Sequence, residues 1–349
     1  MHIEEAHAYN SLARETFSDY KAIERLKNTH GSFSAAWSTT YASSKSNPVD
    51  AFQKLSQKNV RLLLRENSEF PEILREIPWP PFGIFVRGDI SLLENAVAIV
   101  GTRKATNAGK EIAKSFAAQL AECGIPVISG LALGIDAAAH AGALVNHKKT
   151  IAVLANGLDT VYPRQNESLA ENILENNGAL ISEYPFETPS LPQRFLERNR
   201  IISGLSRAII VIEAPQKSGA LATARFALEQ NRDVFVVPGD IRHKNYKGSH
   251  ELIKSGASLI TEISDVIHAL GLQTEFFKNK AKEIQKSIEG LDEIQKKVIT
   301  VLQDSGTPLH VEELLSRTAC TPQELQKAIA ILVVRNHVID NNGKYLLPL

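Results

Sequence analysis

The side chains in this chain with the clearest chemical use are arginines set beside small residues. Arg103 follows Gly101-Thr102, Arg164 follows Tyr162-Pro163, and the run Arg198-Asn199-Arg200 leads into Ile201-Ile202-Ser203-Gly204. A guanidinium is a planar fork of donors that matches phosphate oxygens. Glycine beside it lets backbone amides approach the same ligand. If these loops share one rim, they bind successive phosphates without reading base sequence. Tyr162, Tyr184, Phe186 and Phe195 are candidates to stack on bases, although aromatic residues make up 6% of the chain and core packing is the expected role for each.

Enzyme signatures fare worse. Gly101 to Lys110 has the outline of a phosphate loop, but Ala105 and Glu111 stand where that motif needs other residues, so magnesium and ATP chemistry lack their ligands. No G-x-G-x-x-G follows a strand. Val127-Ile128-Ser129-Gly130-Leu131 lacks the first glycine of a nucleophile elbow. Asp136 and His140, four apart on one helical face, could join Ser129 in a hydrolase triad or a metal pair. An Asp favoured by the helix dipole and a packed, hydrogen-bonded His account for them as well, and no third ligand is evident. The expectation is therefore no catalytic residue, no metal and no cofactor.

The elements that must position these residues are strand-loop-helix units. Ala96–Val100 is too short for a helix and reads as a strand buried on both faces, and Ala108 to Ala121 places Ile112, Phe116 and Leu120 at helical spacing. Pro126–Ser129 and the small-residue segment Asp136–Val145 repeat the unit. Further strands are predicted at Thr150–Leu154, Ala179–Ser182, Ala208–Glu213, Val234–Val237 and Ser258–Thr261. Helices are predicted at Glu167–Glu175, Phe195–Gly204, Ala220–Gln230 and Ser249–Lys254. This alternation predicts an α/β fold, a doubly wound, mainly parallel, Rossmann-like sheet whose ligand lies outside the carboxyl ends of the strands. Five loops of small residues fall there: Gly101-Thr102-Arg103, Ser129-Gly130, Asn156-Gly157, Ser218-Gly219-Ala220 and Pro238-Gly239.

The flanks differ from this core. Residues 1–75 have helical patterns, as at Leu12 to Leu26 and Val49 to Leu64, and read as an N-terminal helical (SAM-like) module for scaffolding or docking. After the cluster Pro78-Trp79-Pro80-Pro81, Ile84-Phe85-Val86 reads as an edge strand. The core is bounded at 76–270, a polar linker at 271–289, and a terminal module at 290–349. There Leu291–Leu302, Val311–Arg317 and Pro322–Arg335 have helical periodicity, and Val338–Leu347 reads as a hairpin turning at Asn341-Asn342-Gly343, the order of a winged helix. Six Lys and Arg against seven Asp and Glu from Gly290 onward, with Lys327 and Arg335 alone on the recognition-helix candidate, leave duplex binding and protein docking equally open.

Composition sets the frame. With 39 basic and 39 acidic side chains in 349 residues, the whole molecule is no attractor of nucleic acid and any polyanion site is local. Two cysteines, Cys123 and Cys320, form no C-x-x-C pair, which argues against zinc and against a disulfide framework. The first ten residues contain no apolar run of a signal peptide, and nothing approaches a membrane span. The expected location is cytoplasmic.

VAIVGTR (97–103), SGLALGIDAAAH (129–140), GLDTVYPRQN (157–166), RNRIISGLS (198–206), SGALATARFALEQ (218–230), DVFVVPGDI (233–241) and GSHELIKSGASLI (248–260) together resemble the DNA-processing protein A (DprA/Smf) family. SEFPEILREIPWPPFGIFVRG (68–88) is similar to the segment preceding that family's core. The resemblance implies a non-catalytic protein that binds and protects single-stranded DNA and helps load the RecA recombinase during natural transformation. It implies that Arg103 and Arg164 contact phosphate, and that Ser129, Gly130, Arg198, Asn199, Arg200, Ser218 and Gly219 line the same pocket. It also implies self-association, as a homodimer, at the far end of the core around His250, Leu252, Ile253 and Leu259. Arg164 stands where the family often has Lys, and His250 where many members have Asn or Arg. The competing reading is a nucleotide-processing, phosphoribohydrolase-like hydrolase with Ser218-Gly219 on phosphate and Glu229 as acid or base, but the P-G-G-x-G-T-x-x-E signature is absent.

Overall fold

A computed structural model describes residues 4–44, 46–91, 93, 95–272, 291–305, 308–335, 337–341 and 343–346. The chain forms two compact units, Met1–Gln273 and Thr274–Leu349. The first opens with helices α1 (Glu5–Glu15), α2 (Tyr20–His30), α3 (Phe33–Thr40) and α4 (Pro48–Gln57). The pattern from Leu12 to Leu26 is two helices, because Phe17 and Ser18 adopt left-handed φ of 54° and 57° and break the ladder between them. Asp19 then caps α2 by accepting from the Ala22 amide at 2.7 Å.

Nine strands build one sheet: β1 (Val60–Leu64), β2 (Gly83–Gly88), β3 (Val97–Val100), β4 (Val127–Ser129), β5 (Thr150–Leu154), β6 (Ala179–Ser182), β7 (Ala208–Val211), β8 (Asp233–Val236) and β9 (Ser258–Leu259). Their spatial order is β1-β2-β6-β5-β4-β3-β7-β8-β9. From β6 to β9 all neighbours are parallel, whereas β1 on β2 and β2 on β6 are antiparallel. The parallel part starts at β3, steps outward through β4, β5 and β6, then returns to the other side of β3 for β7, β8 and β9. The strand order thus reverses between β3 and β7, the place where open α/β sheets bind ligands.

Two expectations change here. Residues 60–64 are not the end of a helix: Val60, Leu62, Leu63 and Leu64 are buried, and pairing with β2, Leu62 opposite Phe85, outweighs any helical preference. Consequently Ile84-Phe85-Val86 is an interior strand and β1 is the edge. A boundary at residue 75 would cut this sheet. The N-terminal helices also share one core with it, since Tyr9, Leu12, Phe33, Trp37 and Leu55 pack with Phe85, Leu154 and Leu180.

Helices α5 (Glu72–Arg75), α6 (Asn107–Glu122), α7 (Ile135–Ala143), α8 (Glu167–Glu175), α9 (Pro192–Gly204), α10 (Gly219–Glu229), α11 (Lys247–Lys254) and α12 (Ile263–Ala269) complete the unit. In β3, Val97 and Ile99 pack with Phe116 and Leu120 of α6, while Ala98 and Val100 pack with Ile201 and Ile202 of α9. Alternate side chains therefore bury against opposite layers, as a strand's period of two requires. Each fully buried Val or Ile contributes about 1.5–3 kcal/mol. The small residues of α7 let it lie tightly on α6; a Cβ at Gly142 would sit 2.1 Å from the Lys114 carbonyl oxygen.

The second unit contains helices Glu293–Ser305, Val311–Thr318 and Pro322–Val334 and short strands Leu309–His310, Ile339–Asn341 and Lys344–Leu346, the last central in a three-stranded antiparallel sheet. Its core is Leu291, Val298, Leu302, Leu314, Leu325 and Leu332 with Val338. Lys327 and Arg335 are exposed. The expected linker lies, from residue 273 to 289, outside the described residues. Among the described residues no helix is long and apolar enough to cross a membrane.

Candidate functional site

A cavity of about 580 Å³ opens at the switch point, over the carboxyl ends of β3 and β7. Gly101-Thr102-Arg103 comes to it from β3, Lys217 and Ser218 from the turn into α10, Phe195, Arg198 and Asn199 from α9, and Tyr162 from the loop after β5. The exposed Arg103 guanidinium stands 4.7 Å from the centre of the Phe195 ring, and the Tyr162 ring centre lies 5.6 Å from that of Phe195, the two rings tilted by 55°. Tyr162 is 46% exposed. A cation and two rings on one rim can hold a phosphate and the flat face of an aromatic base.

The floor is anionic-friendly for a different reason. Helix α10 starts at Gly219 without a side-chain cap, and Ser218, Gly219 and Ala220 line the cavity, so the positive dipole end of the helix borders it. The Ser218 hydroxyl there is buried and has no hydrogen-bond partner among the described residues. Asn199 Nδ2 donates to the Gly219 carbonyl at 3.2 Å and ties α9 to this turn.

Arg198 lines the cavity but is committed below it. It is 3% exposed, and its Nη1 donates to the carbonyls of Gly130, at 2.7 Å, and of Val153. Burial lowers its pKa to about 10 against the attraction of Asp136, so it is a cation at neutral pH. Asp136 Oδ2 accepts from the amides of Gly130 at 3.1 Å and Ala132 at 3.4 Å, while burial pushes its pKa up against the pull of Arg198. A Cβ on residue 130 would meet the Arg198 guanidinium at 2.4 Å, which is why glycine is required there.

The structure thus gathers Arg103, Arg198, Asn199, Ser218 and Gly219 around one cavity and leaves other expected residues outside it. Ser129 is fully buried and its hydroxyl donates to the Ile99 carbonyl at 2.6 Å, so it presents nothing to a ligand. Gly130 lies beneath the cavity with its amide and carbonyl both used. Arg164, in a 3-10 turn anchored by Asn166 Nδ2 on the Leu131 carbonyl at 2.8 Å, is exposed but outside the lining. Arg200 faces away: successive helical residues are about 100° apart, so residues 198, 199 and 200 cannot share one face. It is 1% exposed, its Nη2 bonds both oxygens of Glu183 at 2.7 Å, and it lies 4.4 Å from the Trp79 ring centre. Tyr184 and Phe186 are core residues, whereas Tyr162 and Phe195 line the cavity rather than the core.

No triad forms. His140 is buried with Nδ1 2.8 Å from Thr150 Oγ1, and burial drives its pKa down to about 3, so it stays neutral. Glu229 sits at the last residue of α10, about 15 Å along the axis from its start, which separates the acid or base of the hydrolase reading from Ser218-Gly219. Among the described residues no three His, Cys, Asp or Glu side chains converge to hold a metal. Of the surface residues at the far end, Leu259 is 51% exposed on edge strand β9, Leu252 and Ile253 pack partly on the core, and His250 Nε2 is 3.2 Å from the Gly239 carbonyl oxygen.

One residue that shapes the site has no sequence signal. Glu213, just after β7, is fully buried and accepts from Thr106 N at 3.1 Å, Thr106 Oγ1, Asn245 Nδ2 at 2.8 Å and Tyr246 OH at 3.2 Å. Burial alone would raise its pKa, but these bonds overcome that and hold it below the usual carboxylate range. The carboxylate thereby clamps Thr106, the cap of α6, and with it the loop that carries Arg103.

Comparison with known proteins agrees with this architecture. The sequence model of the DNA recombination-mediator protein A family matches residues 61–271. Protein Smf of Escherichia coli is 43% identical over 217 residues, 62% of this chain and 58% of its own length, so the chain spans less than two thirds of that relative. The X-ray structure of DNA processing protein A from Streptococcus pneumoniae superposes with a TM-score of 0.61 at 32% identity, covering 77% of this chain and 98% of the other. A structure of DNA processing protein A from Helicobacter pylori, described for its single-stranded DNA binding mode, gives 0.56 at 33% identity over 62% of this chain and 97% of the other. With a match across the sheet that frames the cavity, the chain belongs to the DNA recombination-mediator protein A family.

Proposed function

We propose that this protein binds single-stranded DNA at the switch-point cavity, shields it, and hands it to RecA recombinase during natural transformation, without catalysing a reaction itself. The observation that carries the reading is the rim of Arg103, Phe195 and Tyr162 above the start of α10, which has no side-chain cap: a cation and stacking faces next to the positive end of a helix. A single strand exposes both its phosphates and its base faces; in a duplex the faces are stacked away. The described single-strand binding of the Helicobacter pylori relative supports the same ligand class. In this reading the protein is cytoplasmic and works as a homodimer through the surface of α11 and β9. The three helices and small sheet of the second unit act as a winged helix, and the N-terminal helices act as scaffold.

Fluorescence anisotropy of a labelled oligothymidylate across a salt series tests the proposal. Arg103→Ala is expected to weaken binding about tenfold and to reduce the salt slope by about 0.7, one phosphate contact on a single strand. Phe195→Ala is expected to cost a similar factor with the slope unchanged, since stacking releases no counterions. Binding by wild type and both variants that is equally weak and equally salt-dependent would overturn the assignment. RecA filament assembly on the bound strand, faster with wild type than with Arg103→Ala, is the corresponding test of the hand-over.

A further inference from the structure

A second cavity of about 390 Å³ lies on the other side of the turn into α10, between α10 and α11, and it shares Lys217 and Ser218 with the switch-point cavity. Its remaining lining includes Gln216, Leu221, Arg225 and Glu251. Residues 218, 221, 222 and 225 recur at spacings of three and four, so one stripe of α10 forms its wall. Arg225 lies about 9 Å along the helix from Gly219, far enough to serve a different phosphate of an extended strand. Both Lys217 and Arg225 are exposed, and among the described residues neither makes an ion pair or a side-chain hydrogen bond. The one carboxylate present, Glu251, accepts from Gln216 Nε2 at 2.7 Å, so two cations face a single anion that is already engaged. Lys217 holds a left-handed backbone, φ 76°, which a side chain adopts at a cost. That strain sits at the one turn that borders both cavities.

We infer that the groove of Lys217 and Arg225 is a second phosphate subsite, along which a single strand leaves the switch-point cavity between α10 and α11. The inference rests on the single-stranded DNA reading above and adds to it a path and a direction. The ligand class is an extended polyanion longer than the first cavity holds. Lys217, at the shared turn, serves both subsites, and Arg225 serves the second alone. The helix dipole, whose positive end lies at Ser218-Gly219, favours phosphates on either side of the turn.

The test measures anisotropy of the full-length protein with oligothymidylates of increasing length. Arg103→Ala should weaken binding at every length. Arg225→Ala should leave the shortest bound oligomer within twofold of wild type and weaken the longer ones about tenfold, with a salt slope lower by about 0.7 for those lengths only. Arg225→Lys should restore most of the loss, because a point charge suffices for one phosphate. Lys217→Ala should affect all lengths and the longer ones most. Arg225→Ala equal to wild type at all lengths, or weaker by one common factor at all lengths, overturns the second subsite while leaving Arg103-dependent binding in place. Absence of salt-sensitive binding by wild type at any length overturns the single-stranded DNA reading itself, and the subsite with it.

Discussion

Glu213→Gln separates the clamp behind the site from the site's own contacts. Glutamine keeps the volume of Glu213 but lacks its charge, and four donors converge on the carboxylate from Thr106, Asn245 and Tyr246. With the amide nitrogen in the place of Oε1 it meets two hydroxyls, which can accept; in the place of Oε2 it meets the Thr106 amide and the Asn245 side-chain amide, which both donate. The first orientation is therefore adopted, and what is lost is mainly the charge assistance. A hydrogen bond to a charged group contributes about 1.5–3 kcal/mol and a neutral one about 1, so four bonds and the recovered desolvation leave a net loss of roughly 2 kcal/mol. Urea denaturation at neutral pH should report that difference. Because the folded pKa of Glu213 lies below its unfolded value, its contribution is complete above about pH 4.3 and disappears as pH falls through the folded pKa, so wild type and variant should converge in acid. The variant should also bind single-stranded DNA severalfold more weakly with an unchanged salt slope, since Arg103 keeps its charge but loses its fixed loop. A stability difference under about 0.5 kcal/mol, or one that stays constant into acid, refutes the reasoning.

Arg200→Met should lower stability by about 3 kcal/mol, because it leaves the Glu183 carboxylate buried without its counter-charge. The double variant Glu183→Gln/Arg200→Met should recover at least half of that loss in the same denaturation assay, and neither change should alter DNA affinity of the folded protein beyond twofold. Lys217→Gly should relieve about 1–2 kcal/mol of left-handed strain and give back about 0.5–1 through the freer unfolded chain. A small gain in melting temperature should therefore accompany weaker binding of long oligomers, measured by thermal denaturation and anisotropy on one preparation.

Much of the fold was legible because its signals are local. Short β-branched runs such as Val97–Val100, bounded by glycine and followed by helical spacing, announce strand-loop-helix units, and Thr150–Leu154 and Ala179–Ser182 coincide with observed strands. Strand–helix alternation implies a parallel sheet, and that places Gly101-Thr102-Arg103 and Ser218-Gly219 at its ligand-binding end. The edge of the sheet was not legible. Val60–Leu64 continues a helical-looking stretch, and only pairing with β2, from Leu64 opposite Gly83 to Val60 opposite Arg87, makes it a strand.

What the sequence by itself determined is the order of elements and the loops that reach the switch point, because periodicity and turn chemistry act between near neighbours. Only the tertiary structure decided which side chains of those loops line the cavity. Arg198 braces Gly130, Arg200 pairs with Glu183 under Trp79, and Ser129 bonds back to β3, since a helix turns about 100° per residue and a buried donor takes the nearest acceptor. Glu213 draws partners from residues 106, 245 and 246, and Lys217 joins two cavities, for the same reason: contacts between residues distant in sequence depend on how the layers pack, and no local pattern encodes that packing.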